Sequence, residues 1–387
     1  MARVILLTDF GEEYAKKLME GIVEFSRKTE PWVLCKMPLS YRDLYGIAGV
    51  LKWAKEWKAD AIIGQFYNTD KVELFAENNI LAIAQDFKNR FKTIPNITGN
   101  HIKAGKIGAQ HFIDKGYDNY AFLGLKEVIW SEERCQGFKM KLEEAGKGLN
   151  YYEYQRESKE GLWYYEEGLK LWLENLPKPI AIMACDDNQA HHIAVICNLQ
   201  NIKIPDEISL LGVDNDEAIC SLSDPSLSSL NQAVAKGGYE IAAKIERFIK
   251  DRSYKCTDII IEPTYITARE STNIFSTNNP YISTVLKYIH QNIHQKLTVR
   301  KLLELVPLSR RLLEINFRDA TGESIYSYIL RLRIEQFTAQ LVETDKPIIN
   351  IALELGYLDY KNISRLFKKF KGCTPSEYRT SADFLRN

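Results

Sequence analysis

The first 270 residues alternate short, wholly apolar runs with stretches whose apolar positions recur every three to four residues. Val4–Leu7, Ala61–Gly64, Ile80–Ala84, Tyr120–Gly124, Ile180–Ala184 and Ser209–Val213 read as buried strands. Tyr14–Arg27, Lys71–Asn78, Ile102–Lys115 and Asn188–Gln200 read as helices. Buried strands separated by helices predict parallel sheets covered on both faces. The length exceeds what one such sheet needs, so two α/β lobes with a cleft between them are expected.

The pattern changes after the polar, turn-rich stretch 271–280, which reads as a linker between an α/β core at 1–270 and a helical domain at 281–387. Tyr281–His294 carries a helical stripe. Thr298 can cap Val299–Val306, which Pro307 ends, and Ser309 can cap Arg310–Ala320. Leu313, Phe317 and Ala320 then face inward, leaving Arg310, Arg311, Leu312, Ile315 and Arg318 toward solvent. Gly322 precedes a long connecting helix at about 324–343. Pro347 opens a further short helix that buries Ile348, Ile351, Ala352 and Leu355, and Gly356 ends it as a left-handed cap would. In the last helix Ile363, Leu366, Phe367 and Phe370 are expected inside, with Lys361, Asn362, Arg365 and Lys369 outside. Two helix-turn-helix units result, at about 298–320 and 347–371. Asn and Arg can read base edges while Lys neutralises phosphate.

Charge sharpens this division. The net charge is zero, which alone argues against a nucleic-acid binder, but from Tyr281 onward 17 Lys and Arg stand against 11 Asp and Glu, and before it 34 stand against 40. A basic module on an acidic body confines the DNA-binding charge to the C-terminal domain. The seven Cys are scattered without a CxxC pair and read as free thiols. No apolar run approaches a bilayer span and the N-terminus lacks a signal-peptide pattern, so a cytoplasmic protein without membrane contact is expected.

Ligands of parallel sheets bind beyond the C-terminal ends of the strands. The residues there are Asp9, Phe10 and Tyr14 after the first strand, Asp86 and Phe87, Trp130 and Arg134, Asp186, and Asp214. Carboxylates, an Arg and aromatic faces in one cleft suit a sugar, whose hydroxyls need acceptors and donors and whose C–H face packs on a ring. Asp186 can equally be a helix N-cap. The chain has no Walker loop, no GxSxG and no HExxH, and the His191–His192 pair lacks an evident third metal ligand, so neither catalytic nor metal-binding residues are assigned. A sugar- or nucleotide-acting enzyme with a helical appendix, and a sugar-sensing scaffold that never touches DNA, are the competing readings.

Several segments carry family resemblances. Ile202-Lys-Ile-Pro-Asp-Glu-Ile-Ser-Leu-Leu-Gly-Val-Asp214, the stretch from Asp224-Pro to Asn231-Gln232, the Asn100, Gly105, Gly108 and Gly116 spacing, Arg134 with Gly137-Phe138, and Thr267-Ala-Arg-Glu-Ser271 resemble the LacI/GalR-type sugar-binding core. That resemblance implies a periplasmic-binding-protein-like pair of lobes, dimerisation through the core, and effector contacts at Arg134 and Asp214, with Asp9, Trp130 and Gln232 more loosely placed. It departs in lacking the N-terminal DNA-binding segment of that family, and Cys185 stands where Asn is common. Ile351-Ala, Gly356-Tyr, Asp359, Ser364-Arg, Phe367-Lys-Lys, Gly372, Thr374-Pro and Tyr378-Arg are similar to the AraC/XylS signature. In the first unit Leu303, Val306, Pro307 and Ile315 depart from that pattern, and on the connecting helix Phe337 replaces a usual Ala. The two modules in this order resemble the xylose-operon regulators. The resemblance implies an activator that takes D-xylose, another pentose or a hexose as effector, uses no cofactor, and has operator DNA, a second copy and RNA polymerase as partners.

Overall fold

The computed structural model describes residues 1–157, 167–272, 279–293, 295, 297–321, 323–343, 346–357 and 360–379. In chain order the first lobe begins with β1 (Arg3–Leu7), α1 (Glu13–Lys28), β2 (Val33–Met37), α2 (Leu39–Glu56), β3 (Ala61–Gly64), α3 (Glu73–Glu77), β4 (Leu81–Gln85) and β5 (Asn96–Gly99). The chain crosses to a second lobe at Asn100 and builds α4 (His101–Asp114), β6 (Tyr120–Leu125), α5 (Ile129–Glu144), β7 (Tyr151–Arg156), α6 (Glu167–Asn175), β8 (Ile180–Ala184), α7 (Asp187–Leu199), β9 (Ile208–Val213), α8 (Glu217–Leu222) and β10 (Ser228–Gln232). It returns to the first lobe for α9 (Val234–Lys250) and β11 (Ile259–Ile261), then re-enters the second with β12 (Pro263–Thr267).

Each lobe holds a six-stranded sheet, ordered β11-β5-β4-β3-β1-β2 in the first and β12-β10-β9-β8-β6-β7 in the second. All pairings are parallel except β10 with β12. Strands such as β3, β8 and β9 are buried along their whole length, which is why they read as continuous apolar runs rather than alternating ones. The crossovers lie side by side: Asn100 N–H donates to the Ile261 carbonyl and Ala233 N–H to the Glu262 carbonyl. They form the hinge, and the C-terminal strand ends of both sheets face the same cleft.

The helix that carries Arg134 is set against the hinge by close backbone approach. A Cβ on Gly105 of α4 would stand 2.0 Å from the Arg134 carbonyl oxygen, and one on Gly137 of α5 would stand 2.0 Å from that of Ile102. Only glycine at both positions lets α4 and α5 touch this way.

The C-terminal domain contains α10 (Pro280–Gln291), α11 (Val299–Leu303), α12 (Arg310–Thr321), α13 (Ile325–Glu343), α14 (Ile348–Glu354) and α15 (Tyr360–Lys371). It has two cores that share one helix. Ile325 and Tyr328 of α13 pack with α10, α11 and α12, whereas its Ile334, Phe337 and Leu341 pack with α14 and α15. Arg333 ties the units further, donating to the carbonyls of Ile293 (3.0 Å) and Gln295 (2.5 Å) while stacking near Tyr357.

The structure corrects several sequence expectations. The α11 helix ends at Leu303 rather than Val306, because Pro307 disfavours helical backbone before it. Ser271 and Thr272 belong to the core: Ser271 Oγ donates to the Leu210 carbonyl (2.6 Å), accepts from Ser228 N–H (2.9 Å), and Thr272 Oγ1 bonds Ser228 Oγ (2.7 Å). Phe370 is 44% exposed and does not join the inner face of α15. Of the expected turn residues, Gly322 lies outside the described residues, while Gly356 has φ +77°, a left-handed cap. The strands β2, β5, β7, β10 and β12 and the helix α2, kinked at Gly46, escaped the sequence reading because their apolar positions are interrupted by polar ones, and β11 because three residues are too few to show a pattern.

Candidate functional site: an interlobe cleft and a two-unit DNA-binding module

The cleft between the lobes has a volume of about 580 Å³. Its centre is a chain of charged and polar side chains running from one lobe to the other. Arg134, only 3% exposed, donates through Nε to His101 Nδ1 (3.2 Å), through Nη1 to the Cys185 carbonyl, and through Nη2 to Asp214 Oδ1 (3.3 Å). Its guanidinium also lies 4.9 Å from the centre of the Trp130 ring. A guanidinium N–H can only donate, so His101 Nδ1 accepts and Nε2 carries the proton, donating to Asp86 Oδ2 at 2.7 Å. The Gly99 N–H then belongs to Asp86 Oδ2 (2.9 Å). Burial pushes the His101 pKa down, outweighing the hydrogen bond to Asp86, which agrees with a neutral ring. Burial would raise Asp86, but the hydrogen bond from His101, with the Thr98 and Gly99 donors, holds it below the usual carboxylate range. Gln232 stands behind Asp214 and donates to its Oδ1 through Nε2.

Around this chain the cleft wall is acidic. Asp9, Glu12 and Asp186 join Asp214 there. Although Glu12 as a residue is exposed, its carboxyl is enclosed by the cleft and pushed up to about 7, by burial first and then by Asp9, Asp186 and Asp214. Asp186 accepts from Gln189 N–H (2.7 Å) as the N-cap of α7, and burial raises it to about 6. Asp187 is buried, accepting from Ser229 Oγ (2.6 Å) and Asp216 N–H (2.8 Å), and burial drives its pKa well above the carboxylate range.

Several buried polar atoms at the cleft have no hydrogen-bond partner among the described residues: the Tyr14 hydroxyl, Gln65 Oε1 and both side-chain polar atoms of Gln85. Buried polar groups are normally paired, because each unpaired one costs about 1–3 kcal/mol. Donors and acceptors gathered this way beside the half-buried Trp130 ring fit a small polyhydroxylated molecule. Among the described residues no cluster of three or more His, Cys, Asp or Glu side chains could hold a metal.

In the C-terminal domain, Thr298 caps α11 through Lys301 N–H, and Ser309 Oγ accepts from Leu312 N–H (3.3 Å) at the start of α12. The outer face of α12 carries Arg310, Arg311, Leu312, Ile315 and Arg318, all exposed. Leu312 and Ile315 are 45% and 46% exposed, an apolar pair surrounded by cations. On α15, Asn362, Arg365 and Lys369 are exposed, joined by Lys368 and Lys371. The side chain of Lys361 lies outside the described residues.

This arrangement has known relatives. Residues 109–272 match the family model of a periplasmic binding protein-like domain, and residues 302–381 match that of a helix-turn-helix domain. The xylose operon regulatory protein of Escherichia coli K12 is 25% identical, over 97% of this chain and 96% of that protein. The C-terminal module is 32% identical over 98 residues to the regulatory protein SoxS of Salmonella typhimurium, covering 92% of that protein and 25% of this chain. The chain is thus a xylose-operon-regulator-like protein, a periplasmic binding protein-like domain followed by a helix-turn-helix domain of the kind found in transcription regulators. In fold it matches the solved structure of the xylose-binding transcription activator xylR with a TM-score of 0.60, 24% identity and 98% coverage of both chains.

Within this family frame the predicted sugar residues separate into two groups. Asp9, Tyr14, Phe87, Trp130, Arg134, Asp186 and Asp214 line the cleft. Phe10 does not: Asp9 accepts from Gly11 N–H (2.8 Å) in a tight turn, and Phe10 points the other way, against the first-lobe core and beneath the Lys36 ammonium. Gln232 is likewise not a wall residue but a support for Asp214. Sequence reasoning missed Glu12, Gln65, Gln85, His101, Arg156 and His192 as lining residues. Gln65 and Gln85 were findable, since each directly follows or ends a buried strand. His192, to which the sequence assigns no metal-binding role, has its Nδ1 2.7 Å from Arg156 Nη1, which also donates to Gln189 Oε1.

Proposed function

We propose that this regulator senses a pentose, D-xylose first, in the interlobe cleft and transmits its presence to the C-terminal module. The carrying observation is the Arg134–Asp214 pair set beside the unpartnered Tyr14, Gln65 and Gln85 polar groups and the Trp130 ring. Vicinal hydroxyls can bridge a guanidinium and a carboxylate, and the sugar's C–H face can lie on the indole. The relatives named for xylose support the same effector.

On DNA, α12 and α15 would enter successive major grooves about 34 Å apart. The connecting α13 has 19 residues, about 28 Å at 1.5 Å per residue, which suits that spacing. In this reading Arg365 and Asn362 read base edges, Leu312 and Ile315 contact thymine methyls, and Arg311, Arg318, Lys361 and Lys369 bind phosphate. Arg310 is engaged by Glu314 (2.9 Å) and contributes less. The protein acts as a cytoplasmic homodimeric activator that recruits RNA polymerase, and performs no catalysis. Sugar must bind the DNA-competent arrangement more tightly than the other, or no switch results.

A thermal-shift screen of the full chain against pentoses and hexoses tests the sensor, since a ligand of the folded state raises the melting temperature by mass action. The expected result is a shift with D-xylose, followed by xylose-dependent binding to promoter DNA in a gel-shift assay. No shift with any sugar removes the sensor reading and leaves the DNA-binding module standing. No DNA binding with or without sugar removes the switch.

A further inference from the structure

Lys17 stands one helical turn beyond Tyr14 on α1, and its ammonium crosses from the first lobe to the second. Nζ donates to the carbonyl oxygens of Asp214 (2.9 Å) and Asn215 (3.2 Å), with the Glu13 carboxylate 3.7 Å away on its own helix. Those two carbonyls belong to successive non-glycine residues with φ of +102° and +49°. L-residues rarely adopt such backbone, and it persists only where the surroundings impose it. Within the second lobe Asp214 N–H donates to the Leu230 carbonyl and Asn215 N–H to Ser229 Oγ, each at 2.9 Å. Lys17 supplies the constraint from the other side.

Asp214 therefore faces two ways. Its carboxylate meets Arg134 and Gln232 inside the cleft, and its carbonyl meets Lys17 across it. A ligand acting on the carboxylate and a lobe closing through the carbonyl share one residue. A further side-chain bridge between the lobes, besides His101 with Asp86, is of a different kind. Arg90 binds Glu133 through two 2.6 Å contacts and also holds Thr98 of β5, so it braces the hinge strand rather than a cleft wall.

We propose that Lys17 is an interlobe positioning residue that couples ligand capture at Asp214 to closure of the two lobes. This rests on the sugar reading of the cleft. Opening the lobes breaks both Lys17 bonds, and a sugar that fixes Asp214 in its left-handed conformation presents both carbonyls to the ammonium. Closure and capture then reinforce each other.

The test is calorimetric titration of the full-length protein with D-xylose, D-ribose, L-arabinose and D-glucose, paired with small-angle scattering with and without the bound sugar. Wild type, K17M, K17Q and K17R are compared. The wild type is expected to bind D-xylose and to become more compact. K17M and K17Q are expected to bind about tenfold more weakly or worse, the scale of a lost charge-assisted hydrogen bond, and to lose the compaction. K17R is expected to keep most of both. Should K17M not fold, K17Q carries the same expectation. Neutral variants that bind and compact like wild type, even with lowered melting temperatures, overturn the coupling while leaving the sugar reading intact. A wild type that binds none of these sugars overturns the sugar reading, and the coupling with it.

Discussion

His101 Nε2 lies 2.7 Å from Asp86 Oδ2, although the two residues belong to different lobes. Asp86 follows the last residue of β4 in the first lobe, and His101 is the first residue of α4, immediately after the crossover into the second. The bond thus spans the hinge itself, and Arg134 extends it to Asp214. Replacing His101 by Ala would remove the first of the donors that compensate the burial of Asp86. A loss of about 1–3 kcal/mol is expected, read as a lower denaturant midpoint. D86N should suppress part of that loss if the two act as a pair, as a double-mutant cycle would measure. Additive effects would show that the contact is incidental.

Tyr14→Phe should act with opposite signs on stability and on binding. The hydroxyl is buried and unpartnered among the described residues, so its removal is expected to leave the free protein equally stable or up to about 1 kcal/mol more stable. If that hydroxyl meets the sugar, the same substitution weakens sugar binding by about tenfold. Thermal melts with and without D-xylose measure both. A variant that loses stability and keeps affinity would place the hydroxyl outside the binding function.

Much of this was legible in the chain. Strands such as β1, β8 and β9 declared themselves because parallel strands buried on both faces must be continuously apolar. Arg134 and Asp214 were visible from their places near strand ends together with the resemblance. His101 was not, because nothing local distinguishes a helix-opening His from a surface one. Its role arises from Asp86 and Arg134, 15 and 33 residues away, meeting it through the fold. Phe10 illustrates the converse: proximity to a strand end is common to both sides of a turn, and only the hydrogen bond from Gly11 to Asp9 decides which residue faces the cleft.

Asp186 makes stability fall as pH rises. Its carboxyl titrates near 6 in the folded protein against an ordinary 3.8, so the folded state binds more protons than the unfolded chain between those values. The contribution is fully present below about pH 4 and lost as pH rises through about 6. Asp186→Asn keeps an acceptor for the Gln189 N–H but cannot ionise. It should therefore gain stability relative to wild type between pH 4.5 and pH 7.5, on the order of 1–3 kcal/mol. Denaturation curves at the two pH values check it; a difference that does not change with pH would mean that Asp186 stays ionised throughout.

Phe337→Ala should unfold the second DNA-binding unit first. Phe337 is fully buried, and its ring meets Phe367 edge-on at 5.5 Å. Truncation leaves a cavity worth about 3–5 kcal/mol, in a core of only a few side chains. Loss of DNA binding with retained sugar binding is expected, because the cleft shares no side chain with that core. Loss of both would mean that the modules fold as one unit.

Arg365 provides the direct test of the DNA face. It is exposed on α15, opposite the buried Ile363 and Phe367, so Arg365→Ala should leave folding within about 0.5 kcal/mol of wild type. If Arg365 reads a base, the variant loses about 1–3 kcal/mol of specific binding and relaxes preference at one operator position while non-specific binding persists. If it only neutralises phosphate, binding weakens alike on all sequences and the salt dependence falls by about one unit in slope. Gel shifts on operator and scrambled DNA at several salt concentrations separate these outcomes, and the base-reading role fails if operator preference survives intact. The same measurement on Ile315→Ala tells whether the first unit also reads sequence, since an apolar contact to a thymine methyl contributes preference but no salt slope.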